Sequence, residues 1–311
     1  VIIVTYNRVH FLPSAIRSVL NQTYTNLELI IIDDGSTDGT SEVVAKFSDP
    51  RIRYHHLTHT GLISRNRNLG MSKSLGEYIA IIDSDDVWSK YKIETQINAL
   101  IENPNCFSIS QVITTNNYRP SDLAKDLNEW LPKINFQAKN VFDDILLNRV
   151  SYYPSTLFFR KDSLKVVGSF DETCIVSEME FIGRMSFYFE ALYFPEALVI
   201  IRKHGENVTA RNQGSLFDEK FLLVTKMFAN DVIGKKKYVE AMAAHHLAYA
   251  KLTNISNNEF WNTIRKCFSA YTKPSAYLRL MLVILKRLKY QLTSALMERR
   301  RMDKLITRNV K

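Results

Sequence analysis

The chain has three cysteines in 311 residues, too few for a disulfide framework. Cys106, Cys174 and Cys267 lie far apart, match no metal pattern, and read as free thiols in a reducing compartment. Long apolar runs are also missing. The run from Leu278 to Leu285, broken by Arg279, falls far short of the roughly 20 residues that span a bilayer. No internal repeat or low-complexity segment is visible. Neither Gly-x-Gly-x-x-Gly nor a Gly-Lys-Ser/Thr loop follows a strand, so dinucleotide and P-loop chemistry lose their main support. No Ser–His–Asp or Cys–His pattern argues for a covalent nucleophile. Val1 already stands inside an apolar strand, so a short N-terminal piece is expected to precede it, and no signal peptide is visible.

What is present is a core-forming composition, 46% hydrophobic, enough for one large or two ordinary domains. The net charge of +9 is unevenly spread. Residues 215–311 carry 19 Lys/Arg against 7 Asp/Glu, whereas residues 1–214 carry 22 against 25. That asymmetry points to an anionic partner for the C-terminal part, a membrane surface or nucleic acid, and argues against nucleic-acid binding by the N-terminal part.

Apolar strand patterns alternate with amphipathic helical ones through the first half. Val1–Val4, Leu27–Ile32, Ile52–Leu57, Tyr78–Ile82 and Cys106–Thr114 read as strands. Residues 12–20, a short stretch through Val43 and Phe47, Ile63–Leu75 and 93–101 read as helices. This order implies an α/β layer fold with a mostly parallel sheet. In such sheets ligands bind beyond the carboxyl ends of the strands. Three strand ends carry polar signatures there: Thr5-Tyr6-Asn7, Asp33-Asp34-Gly35-Ser36 and Asp83-Ser84-Asp85-Asp86. They are expected to converge on one crevice.

The third signature is the most informative. Three carboxylates in four positions repel one another unless a cation neutralises them. Sulfur-free oxygen ligation suits Mg2+ or Mn2+, which keep waters and bind substrate phosphates. On this stretch alone, an acidic cap for the next helix is an equal reading.

The strand-end signatures together resemble family 2 glycosyltransferases of the GT-A (nucleotide-diphospho-sugar transferase) fold. The resemblance rests on residues 1–8, 18–23, 29–38, 61–70, 76–79 and 83–86 in that order, and extends more loosely to about residue 205. It implies a nucleotide-sugar donor, most simply a UDP-sugar, a divalent cation, Mn2+ or Mg2+, and inversion at the anomeric carbon. Thr5, Tyr6 and Asn7 would line the nucleoside pocket, Asp34 would hydrogen-bond the base, and Arg65 would lie beside the nucleotide. Asp83 and Asp85 form the Asp-x-Asp pair; Asp85 or Asp86 would touch the metal, and Asp83 or Ser84 the ribose. Glu178 matches the family's catalytic base, with Glu180 as rival two residues on. Arg202 and His204 would help hold the diphosphate or metal.

The resemblance and the charge step together place a GT-A domain over 1–214, split into a nucleotide-binding half (1–115) and an acceptor-side half (116–214), followed by a basic helical region over 215–311. The acceptor implied is a carbohydrate or lipid-linked carbohydrate of cell-surface polysaccharide or glycolipid synthesis. The expected location is the cytoplasm. Residues 275–311 read either as a helix lying at the inner membrane face or as a core helix with a basic solvated face. Two other classes rank lower: a non-catalytic nucleotide-binding module, and a nucleic-acid-associated protein whose basic helices lack a recognition motif.

Overall fold

The structure, a computed structural model, describes residues 1–116, 135–147, 149, 152–173, 178–205, 207, 213–249, 262 and 265. The sequence pattern also predicts helices over 260–271 and 276–297; the second, the candidate membrane segment 275–311 and most of the first lie outside the described residues. So do most of the loop 116–148, Ser177, Val208, Thr209, Cys174 and Cys267.

Four strands come from the N-terminal alternation: β1 (Ile2–Thr5), β2 (Leu29–Asp33), β3 (Ile52–His56) and β4 (Tyr78–Asp83). Helices α1 (Leu12–Leu20), α2 (Thr40–Ala45) and α3 (Ile63–Lys73) connect them. Every pairing in this half is parallel, with β1 flanked by β2 and β4. All five residues of β2 are buried, as expected of a parallel strand covered on both faces. α1 buries Leu12, Ala15, Ile16 and Val19, one helical stripe set against the sheet. α3 lies so close to β1 that a Cβ on Gly70 would meet Ile2 Cγ2 at 2.6 Å.

The second half departs from the expected mostly parallel sheet. After β5 (Val87–Trp88) and α4 (Lys92–Glu102) come β6 (Cys106–Thr115), β7 (Gln137–Lys139), β8 (Phe158–Arg160) and β9 (Glu190–Arg202). The sheet runs β3-β2-β1-β4-β8-β6-β9-β5, with β7 on β9. β8 is antiparallel to both β4 and β6, whereas β6 and β9 are parallel. The sequence pattern predicts a strand over 155–160; it forms only over Phe158–Arg160, because Pro154 opens a 3-10 turn over Pro154–Thr156. Helices α5 (Phe142–Leu146), α6 (Leu164–Val167) and α7 (Glu178–Tyr188) complete the layers.

Contacts divide the chain into two compact units, Val1–Leu223 and Val224–Lys311. The division falls inside α8 (Gln213–Ala229), the helix at whose start the charge balance changes. In the second unit, α9 (Lys235–Tyr249) follows a turn where Asp231 takes φ 55°, and Phe228 stacks on Tyr238 at 4.4 Å. Among the described residues no helix is long and apolar enough to cross a membrane.

The first unit sets up the site. Register pairs Thr5 with Asp33 and Val4 with Asp83. The three polar signatures therefore leave neighbouring parallel strands at the same edge. The turn after β2 needs Gly35, which takes φ +80° with its Cβ position 2.7 Å from the His59 amide nitrogen. Gly35→Ala combines a left-handed alanine with that clash. It is expected to cost about 2 kcal/mol or more, read as a lowered Tm.

Candidate functional site

Asp83 ends β4, and the chain turns immediately, with the Asp86 amide donating to the Asp83 carbonyl at 3.0 Å. This turn separates the two carboxylates that the sequence left as alternative metal ligands. Asp86 is buried. Its Oδ2 accepts the Ser155 hydroxyl at 2.5 Å and its Oδ1 accepts the Arg202 amide at 3.4 Å. Asp86 thus ties the strand end to the protein behind it. Burial holds its carboxyl well above the usual range, and the charges of Asp85 and Asp83 add to this. Asp85 instead meets His204 Nε2 at 2.9 Å and Asn207 Nδ2 at 3.1 Å, both through Oδ2. Ser84, between them, is buried.

Asp83 and the candidate base are held by one cation. Arg67 Nη2 lies 2.8 Å from Asp83 Oδ1 and 3.1 Å from Glu178 Oε1. Arg67 is 1% exposed. Burial opposes its charge, but Glu178 and Asp83 outweigh that and hold its proton more firmly than usual. Asp83 is pushed up to about 6, chiefly by burial and further by Glu178 and Asp85, against the pull of Arg67. Its side chain keeps 37% exposure, so solvent tempers that push. Carboxylates this close at one strand end also raise one another's pKa.

Arg67 reaches this cluster, whereas Arg65, expected beside the nucleotide, does not. Both sit on α3, but two residues apart on a helix place side chains on different faces. Ser64, Arg67, Gly70 and Met71 form the buried stripe, while Arg65 is exposed. The signal was readable as a long basic residue at helical spacing between small residues. Asn68 extends the same attachment, its amide donating to the Phe170 carbonyl at 2.9 Å and accepting the Phe170 amide at 2.9 Å. The segment leading to α7 is thereby fixed against α3.

Glu178 opens α7 and is buried beside Arg67. Its rival Glu180 is committed elsewhere: both its oxygens take Arg184, Nε at 2.7 Å and Nη2 at 2.8 Å. Arg184 in turn donates to the carbonyls of Val167 and Ser169. Glu180→Ala takes the carboxylate from this half-buried guanidinium, which keeps its two carbonyl partners, and is expected to cost about 2 kcal/mol. The folded fraction should keep near-native donor turnover; melting and steady-state rates measured together check this.

On the nucleotide side, Thr5 is 2% exposed and its Oγ1 has no hydrogen-bond partner. A buried orphan hydroxyl at a strand end is what a bound polar ligand would satisfy. Asn7 takes φ 51°, and its side chain accepts the Thr37 amide at 2.8 Å. Tyr6 is 41% exposed and stacks on His59, centroids 4.0 Å apart. Asp34 accepts the Thr60 amide and hydroxyl on Oδ1 and the Gly61 amide on Oδ2. Burial would raise its pKa, but the Asn66 amide, Gly61 and Thr60 outweigh it and hold the carboxyl below the usual range.

Arg202, expected to face the donor, acts as a brace. It is 3% exposed. Its guanidinium donates to the main-chain carbonyls of Asp85 and Phe11 and lies over the Phe11 ring. Phe11 also stacks on His204, with centroids 4.2 Å apart.

Among the described residues no three His, Cys, Asp or Glu side chains form a complete metal cage. Asp85 Oδ2 and the adjacent His204 Nε2 are the atoms here that could hold a divalent cation taking its remaining ligands from water and phosphate, whereas Asn207 turns an amide nitrogen to Asp85.

Comparison with known proteins agrees with this geometry. A bacterial glycosyltransferase from Rickettsia conorii is 49% identical over 109 residues, 35% of this chain and 18% of that protein. WfgD of Escherichia coli, named a UDP-Glc:alpha-D-GlcNAc-diphosphoundecaprenol beta-1,3-glucosyltransferase, is 37% identical over 117 residues, 38% of this chain and 46% of its own. The match thus spans less than half the length of these relatives. Among solved structures, Staphylococcus aureus TarS 1-349 in complex with UDP-GlcNAc superposes with TM-score 0.66 at 17% identity, over 93% of this chain and 87% of that one. The mannosyltransferase PcManGT of Pyrobaculum calidifontis, in complex with GDP-Man and Mn2+, gives 0.59 at 16% identity, over 92% and 86%. These distant likenesses establish the GT-A-like fold. The model of the family described as glycosyl transferase family 2 matches residues 1–168, more than half of the chain and all three strand-end signatures, and the chain belongs to that family.

Proposed function

We propose that the chain transfers a sugar from a nucleoside-diphosphate donor, most simply a UDP-sugar, to an acceptor hydroxyl with inversion. The observation that carries this reading is the shared guanidinium: Arg67 brings the Asp-x-Asp strand end and Glu178 into one cluster. Asp85, with His204 beside it, would hold Mn2+ or Mg2+. Such an ion neutralises charge growing on the leaving diphosphate.

The chain's own residues account for the rest. Glu178 accepts Arg67 through Oε1, and its Oε2 has no hydrogen bond among the described residues. Oε2 would take the acceptor's proton as the acceptor oxygen bonds to the anomeric carbon. The bond from that carbon to the diphosphate oxygen breaks on the opposite face, and the nucleoside diphosphate leaves. Thr5, Tyr6 and Asp34 would seat the nucleoside, and Asp83 the ribose. Arg202 keeps the Asp85 backbone in place against Phe11. The sugar is proposed to be a hexose or N-acetylhexosamine, on a carbohydrate or lipid-linked acceptor of surface-polysaccharide synthesis. Support comes from relatives such as WfgD and the putative teichuronic acid glycosyltransferase TuaG of Bacillus subtilis. A cytoplasmic location and a peripheral membrane contact through 275–311 belong to the same proposal, as does the division into a 1–214 transferase domain and a basic 215–311 region.

The test is turnover of UDP-sugars with Mn2+ and with a chelator. Asp85→Ala is expected to lower cation-dependent turnover by about 10²-fold or more. Undiminished turnover in that variant would remove Asp85 from the site.

A further inference from the structure

His59 sits against the proposed nucleoside subsite in an arrangement that imitates a base. Its ring lies flat on Tyr6, with 18° between the planes and 4.0 Å between centroids. Its Nδ1 is 2.9 Å from Asp34 Oδ2 and 2.9 Å from the Asp34 carbonyl. Both neighbours are acceptors, so Nδ1 carries the hydrogen and donates it to Asp34. A planar ring on Tyr6 with a ring N–H on Asp34 is the contact set a nucleobase imide would make with the same two residues.

Asp34 has no capacity to spare while His59 stays. Its oxygens already take the Thr60 amide and hydroxyl and the Gly61 amide. Of these donors, the Thr60 and Gly61 amides are fixed by the backbone. His59 is different. Its main chain is pressed against Gly35, but its side chain is 46% exposed and can swing outward about its own torsions without moving the loop.

We infer that His59 is a displaceable stopper in the nucleobase subsite, occupying Tyr6 and Asp34 in the free protein and leaving when the donor nucleotide enters. This rests on the nucleotide-donor reading above. A subsite filled by the chain's own ring binds its ligand more weakly by the fraction of time it stands open. The stopper therefore tunes donor affinity. It also keeps the Asp34 carboxylate paired while no donor is present.

The test uses the whole chain, Mn2+ and UDP as the probe, with affinity measured by isothermal titration. His59→Ala is expected to bind UDP on the order of tenfold more tightly than the unsubstituted protein. His59→Phe, which keeps a ring over Tyr6 but has no N–H for Asp34, should fall between them. In the unsubstituted protein, saturation with UDP should move the His59 ring resonances toward those of a solvent-exposed imidazole. Equal or weaker UDP binding by His59→Ala, or His59 signals that stay put at saturation, would overturn the stopper and make the ring a fixed wall of the subsite. If UDP binds neither protein while both melt cooperatively, the nucleotide-donor reading itself fails, a result distinct from the other two.

Discussion

Glu178→Gln is expected to bind the donor nucleotide with near-native affinity and to lose transfer by about 10²–10⁴-fold. The amide is nearly isosteric, and its carbonyl can still accept from Arg67, so the cluster around Asp83 keeps its shape. What disappears is the ability to take a proton from the attacking hydroxyl. Titration with nucleotide sugar and initial rates of transfer, measured on the same preparation, separate the two effects. A fully active Glu178→Gln would move the proton acceptor elsewhere. Glu180 would be a poor substitute, because both of its oxygens are bound to Arg184.

Arg67→Met is expected to be the most damaging single change to the fold of the site. It leaves two carboxylates, Asp83 and Glu178, facing each other without the cation that lies 2.8 and 3.1 Å from them. Breaking a buried ion pair by removing one partner costs about 3–5 kcal/mol. The exposure of Asp83 places the expected loss near 3 kcal/mol, seen as a lowered midpoint in urea. Adding Glu178→Gln to Arg67→Met removes one of the stranded charges and should recover part of that loss. Arg67→Lys keeps the charge but offers a point donor in place of the guanidinium fork. It should fold and still transfer slowly. If Arg67→Met were as stable as the unsubstituted protein, the guanidinium would not be what joins strand end to base.

The three strand ends were legible because each follows a run of buried β-branched residues, and a polar residue there has few other places to go. Parallel pairing then fixed their neighbourhood. The family resemblance named Glu178 and left Glu180 as its rival; that Arg184 holds both oxygens of Glu180 is a contact the motif does not contain. The same is true of Asp85 and Asp86. Their order in the chain does not say which is tied into the protein; the hydroxyl of Ser155, 69 residues away, takes Asp86. Arg67, 111 residues from Glu178 in the chain, joins it to Asp83, a contact that no local pattern contains. The antiparallel β8, inserted between β4 and β6, has only three residues, too short to announce its direction. His59 meets Asp34 across 25 residues of chain, a contact no local pattern contains.

The carboxylate cluster also sets a pH dependence. Asp83 has a folded pKa of about 6, above the ordinary aspartate value of about 3.9. Its ionisation therefore costs the free protein stability, in full above about pH 6 and fading as the pH falls toward 4. A cation held by the neighbouring Asp85 would offset part of that cost. Its stabilising effect on Tm should thus be larger at pH 7 than at pH 5.

The central claim is that the strand-end carboxylates gather a cation and, through it, an activated sugar. Titration of UDP into the protein, with Mn2+ and then with a chelator, addresses it most directly when repeated on Asp85→Ala. The account predicts binding that depends on Mn2+ and is lost in Asp85→Ala, while that variant remains folded. Binding of equal strength with the chelator present, or in folded Asp85→Ala with Mn2+, would contradict it.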